Sequence, residues 1–162
     1  GQLDFSLMGS MAPLSHPNLT LKLLYKREFY IFVSKDNPLS EKTEVSFAET
    51  LAYPFILLER GLAHTTAFET LNNRYNKKAN VLLHFADVHT IGQLVKSNVG
   101  ITLMTDFLPF EDMEGLVKIP LVAEDKVLFY VQYAYLKNAI LDDKLQRLIS
   151  MLDRLSKEDE LL

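Results

Sequence analysis

Three observations on the sequence predict an α/β fold class. Between residues 54 and 105, short runs of apolar, β-branched and aromatic residues alternate with stretches whose apolar residues recur at helical spacing. Two longer strand-like runs, one from Leu19 ending at Asn37-Pro38 and one at 126–135, flank that series and read as connectors crossing between two lobes. A last amphipathic stretch after Asn138 supplies a helix to cover a sheet.

The elements follow in order. "LDFSLM" at 3–8 reads as a short buried strand, and Gly9-Ser10, with Pro13 and Pro17 beyond, reads as a loop. "LTLKLLYKREFYIFVSKDNPLS" alternates apolar and polar residues, becomes continuously aromatic and β-branched from Phe29 to Val33, and ends at Asn37-Pro38. In "SFAETLAYP", Ser46 and Glu49 have the spacing of a capping box, and Pro54 ends the short helix. "PFILLE" (54–59) is a strand that turns at Gly61 into a helix with Phe68, Leu71 and Tyr75 on one face, where Thr66 and Glu69 offer a second capping box.

The unit then recurs in kind. "VLLHFA" (81–86) is a strand, and Asp87 caps a helix whose buried stripe is Val88, Ile91, Leu94 and Val95. Asn98 stands where that helix must stop, Asn being the commonest non-glycine residue in the left-handed conformation a helix C-terminus requires, and Gly100 leads into the strand "ITLMT", 101–105. Strand, helix and strand joined by short links make a βαβ series on a parallel sheet. "LVKIPL" (116–121) and "KVLFYVQYAY" (126–135) are further strands. The C-terminal helix places Leu141, Leu145, Leu148, Ile149, Leu152 and Leu155 on its covering face, with Asp142, Lys144, Arg147 and Arg154 outside. This leucine stripe spans about two heptads, too few for a coiled coil, so core packing accounts for it.

Composition narrows the function. The 162 residues are 48% apolar and 23% charged, ordinary for a globular domain. The net charge of −4, with no Lys/Arg-dense run, gives no footprint for phosphate-backbone binding, so DNA is not a partner of this segment by itself. Without cysteine there is no disulfide, thiolate nucleophile or thiolate metal site, and a reducing, cytoplasmic setting is the expectation. No apolar run reaches the roughly 20 residues of a membrane span, and the first residues lack the basic region of a signal peptide. No membrane, metal or cofactor is expected.

In open α/β sheets a ligand sits beyond the carboxyl ends of the strands, where helix N-termini present N–H groups to anions. Three such ends are 60–66, 87–90 and 105–107. Thr65 and Thr66 bring hydroxyl donors beside free helix N–H groups, suited to a carboxylate or phosphate, although capping is the commoner use of each. His64 is a candidate ligand donor in the same turn. His84 and His89 fall on different elements, which argues against zinc. Asp87 near His89 is explained as a helix cap and not as an acid/base pair. With no Gly-x-Ser-x-Gly elbow and no phosphate-cradling glycine loop, no catalytic residue is assigned, and the chain reads as a binding protein, not an enzyme.

Five pieces taken in order, "GQLDFSLMG", "IFVSKDNPLS", "VSFAETLAYPFILLE", "DVHTIGQLVKSNVGITLMT" and "LVKIPL", resemble the effector-binding (substrate-binding) domain of LysR-type transcriptional regulators over essentially the whole chain. The helix with Gln93, Leu94 and Val95 followed by a turn and Gly100-Ile101 is the most specific of them. The resemblance implies a two-lobed, periplasmic-binding-protein-like domain: three-layer α/β sandwich lobes joined by two crossover strands, with a small-molecule effector between the lobes. It places the first lobe at 1–33 and 132–162, the second at 38–127, and hinge connections at 34–37 and 128–131. The effector-binding residues it implies are Met8, Gly9 and Ser10 in the first lobe, and Arg60, His64, Thr65, Thr66 and Thr105 in the second. A homo-oligomer, dimer or tetramer, is expected, with DNA bound only through a helix-turn-helix region that these residues do not include. The family's opening βαβ part of the first lobe is expected to precede the "LDF" strand; its absence leaves that lobe incomplete, exposes an apolar sheet edge and favours self-association. The family commonly has Gly where Asn98 stands. A solute-binding protein of a transport system, or an enzyme on the same scaffold, are the alternative classes.

Overall fold

The computed structural model describes residues 4–106 and 114–159. The chain divides into two compact units, residues 1–26 with 128–162, and residues 27–127. The strand start expected at Leu3 and the loop residue Phe107 lie outside the described residues.

In the first unit, β1 (Phe5–Ser10) pairs antiparallel with β7 (Leu128–Leu136), from Phe5 opposite Tyr135 to Ser10 opposite Tyr130. β7 lies between β1 and the start of β2 (Leu19–Ser34). Helix α4 (Asp143–Asp159) supplies Ile149 and Leu152 to a core with Leu24 and Tyr133, edged by Phe5, Tyr25, Val131 and Leu145. The Tyr133 hydroxyl donates to Asp153 on α4, and Lys22 Nζ meets the same carboxylate at 2.8 Å.

Two expectations are corrected in this unit. Gly9 and Ser10 are the last two residues of β1 and not a loop, because pairing with β7 continues through them. Gly9 is required there: a Cβ would stand 2.4 Å from Phe129 Cζ, so the bare backbone is what admits the ring. On α4, Leu148 and Leu155 do not join the covering face; with Met151 they form a second, exposed apolar stripe one helical step around from Ile149 and Leu152.

The second unit holds one mixed sheet. The end of β2 pairs antiparallel with β5 (Thr102–Thr105) and with β6 (Leu116–Pro120) on its two edges. β3 (Phe55–Leu58) and β4 (Val81–Phe85) pair in parallel, and a parallel bridge between Phe55 and Ile101 joins β3 to the start of β5. Residues 34–37, expected as a hinge connection, lie inside this unit as the end of β2 and a turn whose Asn37 caps a 3-10 turn at Pro38–Glu41. Residues 128–131, the other expected connection, begin β7 and belong to the first unit.

Side chains alternate across this sheet and make it the middle of three layers. Ile56, Leu58, Phe32 and Met104 face α3 (Val88–Lys96), meeting Ile91 and Val95. The other face takes α1 (Phe47–Thr50) and α2 (Ala63–Asn72), where Phe47 stacks on Phe55 and Phe68 meets both rings edge-on, at centroid distances of 4.9 to 5.9 Å.

The helix signals are realised locally. Ser46 and Glu49 form the reciprocal capping box of α1, and Asp87 accepts from the Thr90 N–H to cap α3. Asn98 has φ 56°, the left-handed stop, and its side chain accepts from Asn37 Nδ2 at 3.1 Å. At Gly100 a Cβ would meet the Pro54 carbonyl oxygen at 2.7 Å, and this close approach lets the Ile101 N–H donate to that same oxygen.

Candidate functional site

The strand ends of the second unit concentrate its polar chemistry. β3 ends at Leu58, and the turn through Glu59, Arg60 and Gly61 (φ 88°) delivers the chain to α2. The helix starts at Ala63 with Leu62 as its N-cap, a residue that offers no side-chain acceptor to the first-turn N–H groups. His64 and Thr65 therefore lie in the first turn.

Neither threonine acts as the expected cap, and the capping box expected between Thr66 and Glu69 does not form. Thr65 is buried, and its hydroxyl turns back to the carbonyl oxygens of Leu58 (3.1 Å) and Glu59 (2.8 Å), fastening the helix to the end of β3. Thr66 is exposed and donates to the Leu62 carbonyl at 3.2 Å. Because the helix begins two residues before Thr65, these side chains reach backward to carbonyls and not to orphan N–H groups.

His64 is the polar centre of the arrangement. Its Nε2 lies 3.3 Å from the Thr105 hydroxyl at the end of β5, a residue with no solvent exposure, and the edge of its ring meets Phe29 at a centroid distance of 5.3 Å. Phe29 stands opposite Thr105 in the β2–β5 register, so the strand pairing places both partners of the histidine at once. Burial pushes the imidazole down from 6.5 to about 4, so it is neutral at pH 7. A neutral imidazole has one donor and one acceptor nitrogen, and beside a hydroxyl it can hold an oxygen-rich ligand in either polarity.

Charge gathers one residue further on. Asp106 follows Thr105, with Arg27 Nε at 3.8 Å from its Oδ1 and Lys118 Nζ at 4.0 Å from its Oδ2. Its Oδ1 is buried and has no hydrogen-bond partner among the described residues. Lys118 also stands 4.9 Å over the Tyr30 ring, while burial, and next Asp106, push the Tyr30 hydroxyl up.

The structure thus brings His64 and Thr105 into contact, keeps Thr65 in the same turn with its hydroxyl already bound, and leaves Arg60 and Thr66 exposed on that turn. Met8, Gly9 and Ser10 sit at the end of β1 opposite Gln132, Val131 and Tyr130 of β7. Phe29, Arg27 and Lys118 were not foreseen beside these residues, and Asp106 was foreseen only as part of the strand end 105–107. Their convergence depends on the pairing of β2 with β5 and β6, which no local signal in the sequence reports.

A sheet between two helix layers, with a polar pair held at its strand ends, has the α/β architecture in which ligand sites lie beyond the strand ends. The family model described as the LysR substrate binding domain matches residues 1–156, and the chain belongs to that family. A malolactic fermentation system transcriptional activator of Lactococcus lactis is 42% identical over 154 residues, covering 95% of this chain and 53% of that protein. The chain therefore spans about half the length of this relative. The effector binding domain of QuiR in complex with shikimate superposes with a TM-score of 0.75 at 16% identity, over 97% of this chain and 73% of that one. The CcmR regulatory domain of Synechocystis in complex with 2-PG superposes with a TM-score of 0.79 at 19% identity, over 96% and 74%. The fold is the periplasmic-binding-protein-like fold of LysR effector-binding domains.

Proposed function

We propose that this chain is the ligand-sensing part of a DNA-binding transcriptional regulator, and that its effector is a small anion bound at the start of α2 and the end of β5. The observation that carries the reading is the His64–Thr105 pair: two polar groups held in contact in an aromatic setting, beside a helix start with no cap of its own. Shikimate and 2-PG, found in the related domains, are both small carboxylates, and the Lactococcus relative activates a system named for malic and lactic acids. Carboxylate recognition suits the N–H groups of α2 together with the Thr105 hydroxyl. Arg60, Thr65 and Thr66 complete the proposed effector set of this unit, with Thr65 acting by fastening the turn, and Met8, Gly9 and Ser10 are the first unit's own proposed effector residues.

Sensing, not catalysis, is the role. Among the described residues no helix is long and apolar enough to cross a membrane. A cytoplasmic regulator that assembles as a dimer or tetramer, and reaches DNA through a region outside this chain, is the context in which effector binding shifts an equilibrium between regulator states.

A thermal-shift and calorimetric screen of the chain with lactate, malate, shikimate and phosphoglycolate tests this. A ligand at 100 times its Kd adds about 2.7 kcal/mol to stability. Thr105→Val should abolish the shift produced by the best carboxylate while leaving the unliganded melting temperature within a few degrees. Sugars stabilising the chain when every carboxylate fails would overturn the anionic reading.

A further inference from the structure

Resting on the effector reading above, we propose that His84 is a positioning residue of the site: its Nδ1–H holds the peptide at which β3 turns toward α2, and so sets where His64 and the first-turn N–H groups meet the effector. The grip is on one peptide unit. His84 Nδ1 lies 2.9 Å from the Leu58 carbonyl oxygen. A carbonyl only accepts, so this nitrogen carries the hydrogen of the contact. The N–H of the same unit, that of Glu59, donates to the Phe85 carbonyl at 3.0 Å. Consecutive residues of β4 therefore hold both polar ends of the last peptide of β3, and its plane cannot rotate without losing one of them.

The strand register puts the ring there. Leu57 stands opposite His84 in the parallel pairing of β3 with β4, and since Ile56 and Leu58 face α3, alternation places Leu57 and His84 on the face toward α2. Thr65 on α2 donates to the same Leu58 oxygen at 3.1 Å and to that of Glu59 at 2.8 Å. One hydroxyl has one hydrogen and the shorter contact takes the larger share of it, so His84 is the principal side-chain donor to Leu58. Burial gives little reason for an imidazole at this position, because His84 is exposed. What its contact controls is the approach of α2 to β5. Only Glu59, Arg60 and Gly61 separate Leu58 from the N-cap Leu62, and His64 must then come within 3.3 Å of Thr105. A turn this short passes any rotation of the Leu58–Glu59 peptide on to the helix start, and a binding site whose groups drift by more than about 0.5 Å loses its fit.

Three variants of the chain test this by calorimetry at room temperature with lactate and shikimate as probes, each variant's melting temperature being measured beside its Kd. His84→Leu removes the donor, His84→Asn returns an amide N–H at the place of Nδ1, and His84→Gln carries its N–H too far along the side chain to stand there. The expected result, scaled from the net worth of one hydrogen bond, is a Kd about threefold to tenfold higher in His84→Leu and His84→Gln, and within about twofold of the unsubstituted chain in His84→Asn. An unchanged Kd in His84→Leu with only the melting temperature lowered is the mark of a purely structural contact, and it overturns this inference while leaving the effector reading standing. An equal loss of affinity in all three variants overturns it too, because the ring and not its Nδ1–H would then be what matters. Failure of both probes to bind the unsubstituted chain overturns the effector reading and this inference together.

Discussion

Removing the Asp125 carboxylate should cost this chain about 3 kcal/mol. Asp125 is 2% exposed, and its Oδ2 accepts the N–H of Phe47, the first residue of α1, at 2.7 Å, while Oδ1 accepts the Tyr75 hydroxyl at 2.6 Å. Phe47 is fully buried and stacks on the Tyr75 ring, so the carboxylate fixes two elements to the turn at Ala123–Asp125. Each hydrogen bond to a charged acceptor contributes about 1.5–3 kcal/mol, and Asp125→Ala leaves the Phe47 N–H buried and unpaired. The lower end of the summed range applies, because burying the carboxylate itself costs solvation. With a urea m-value of about 2 kcal/mol/M, the midpoint should fall by about 1.5 M at unchanged m.

Tyr75→Phe removes one donor and should cost about 1 kcal/mol. The double variant should then cost less than the sum of the singles by a similar amount. The same contact pushes the Tyr75 phenol up to about 12, first through its hydrogen bond to Asp125, so an absorbance titration of Asp125→Ala should bring that midpoint back toward 10. A loss under about 1 kcal/mol, or strict additivity in the double variant, would refute the reasoning.

Further outcomes follow from other contacts. Between pH 6.5 and about 4 the unfolded chain binds a proton that the buried His64 refuses, so stability is full above 6.5 and falls as pH drops through that window, by about 3 kcal/mol in all; His64→Gln should remove this component in urea titrations at pH 7 and pH 4.5. Gly9→Ala drives a methyl group into the Phe129 ring and should cost about 1–3 kcal/mol, with Phe129→Leu in the same chain restoring part of the loss. Asn98→Ala places a Cβ residue without a local hydrogen bond at φ 56° and breaks the contact with Asn37; a loss of about 2 kcal/mol is expected, with Asn98→Gly costing less. Thr65→Val keeps the shape but removes the hydroxyl bonds to Leu58 and Glu59, and should lower stability by about 1–2 kcal/mol.

What the sequence discloses depends on how far apart the interacting groups lie along it. The Ser46–Glu49 box, the Asp87 cap and the left-handed Asn98 each work within a few residues, so their types and spacing suffice to read them. The strand–helix series from 55 to 105 is legible for the same reason, through periodicity. Gly9-Ser10 misleads because the turn propensity of that pair is local, whereas its pairing partner and the ring it accommodates lie about 120 residues away. Leu148 and Leu155 mislead because helical spacing defines a stripe wider than the sheet beneath α4 covers. His64 and Thr105 were both legible as candidates, at the start of one helix and the end of one strand. That they touch, and that Phe29 frames them, is set by the register of β2 on β5, a non-local quantity.

The uncapped start of α2 carries a trade-off of its own. Its neighbour α3 has Asp87 to satisfy its first N–H groups, while α2 has Leu62, 44% exposed and chemically mute, at the equivalent position. Leu62→Asp should therefore stabilise the helix by about 0.5–2 kcal/mol. The new carboxylate would occupy from within the donors that the proposed effector needs, so the sturdier variant would be the deafer one. A small deficit of helix stability is then the form in which the molecule stores its responsiveness.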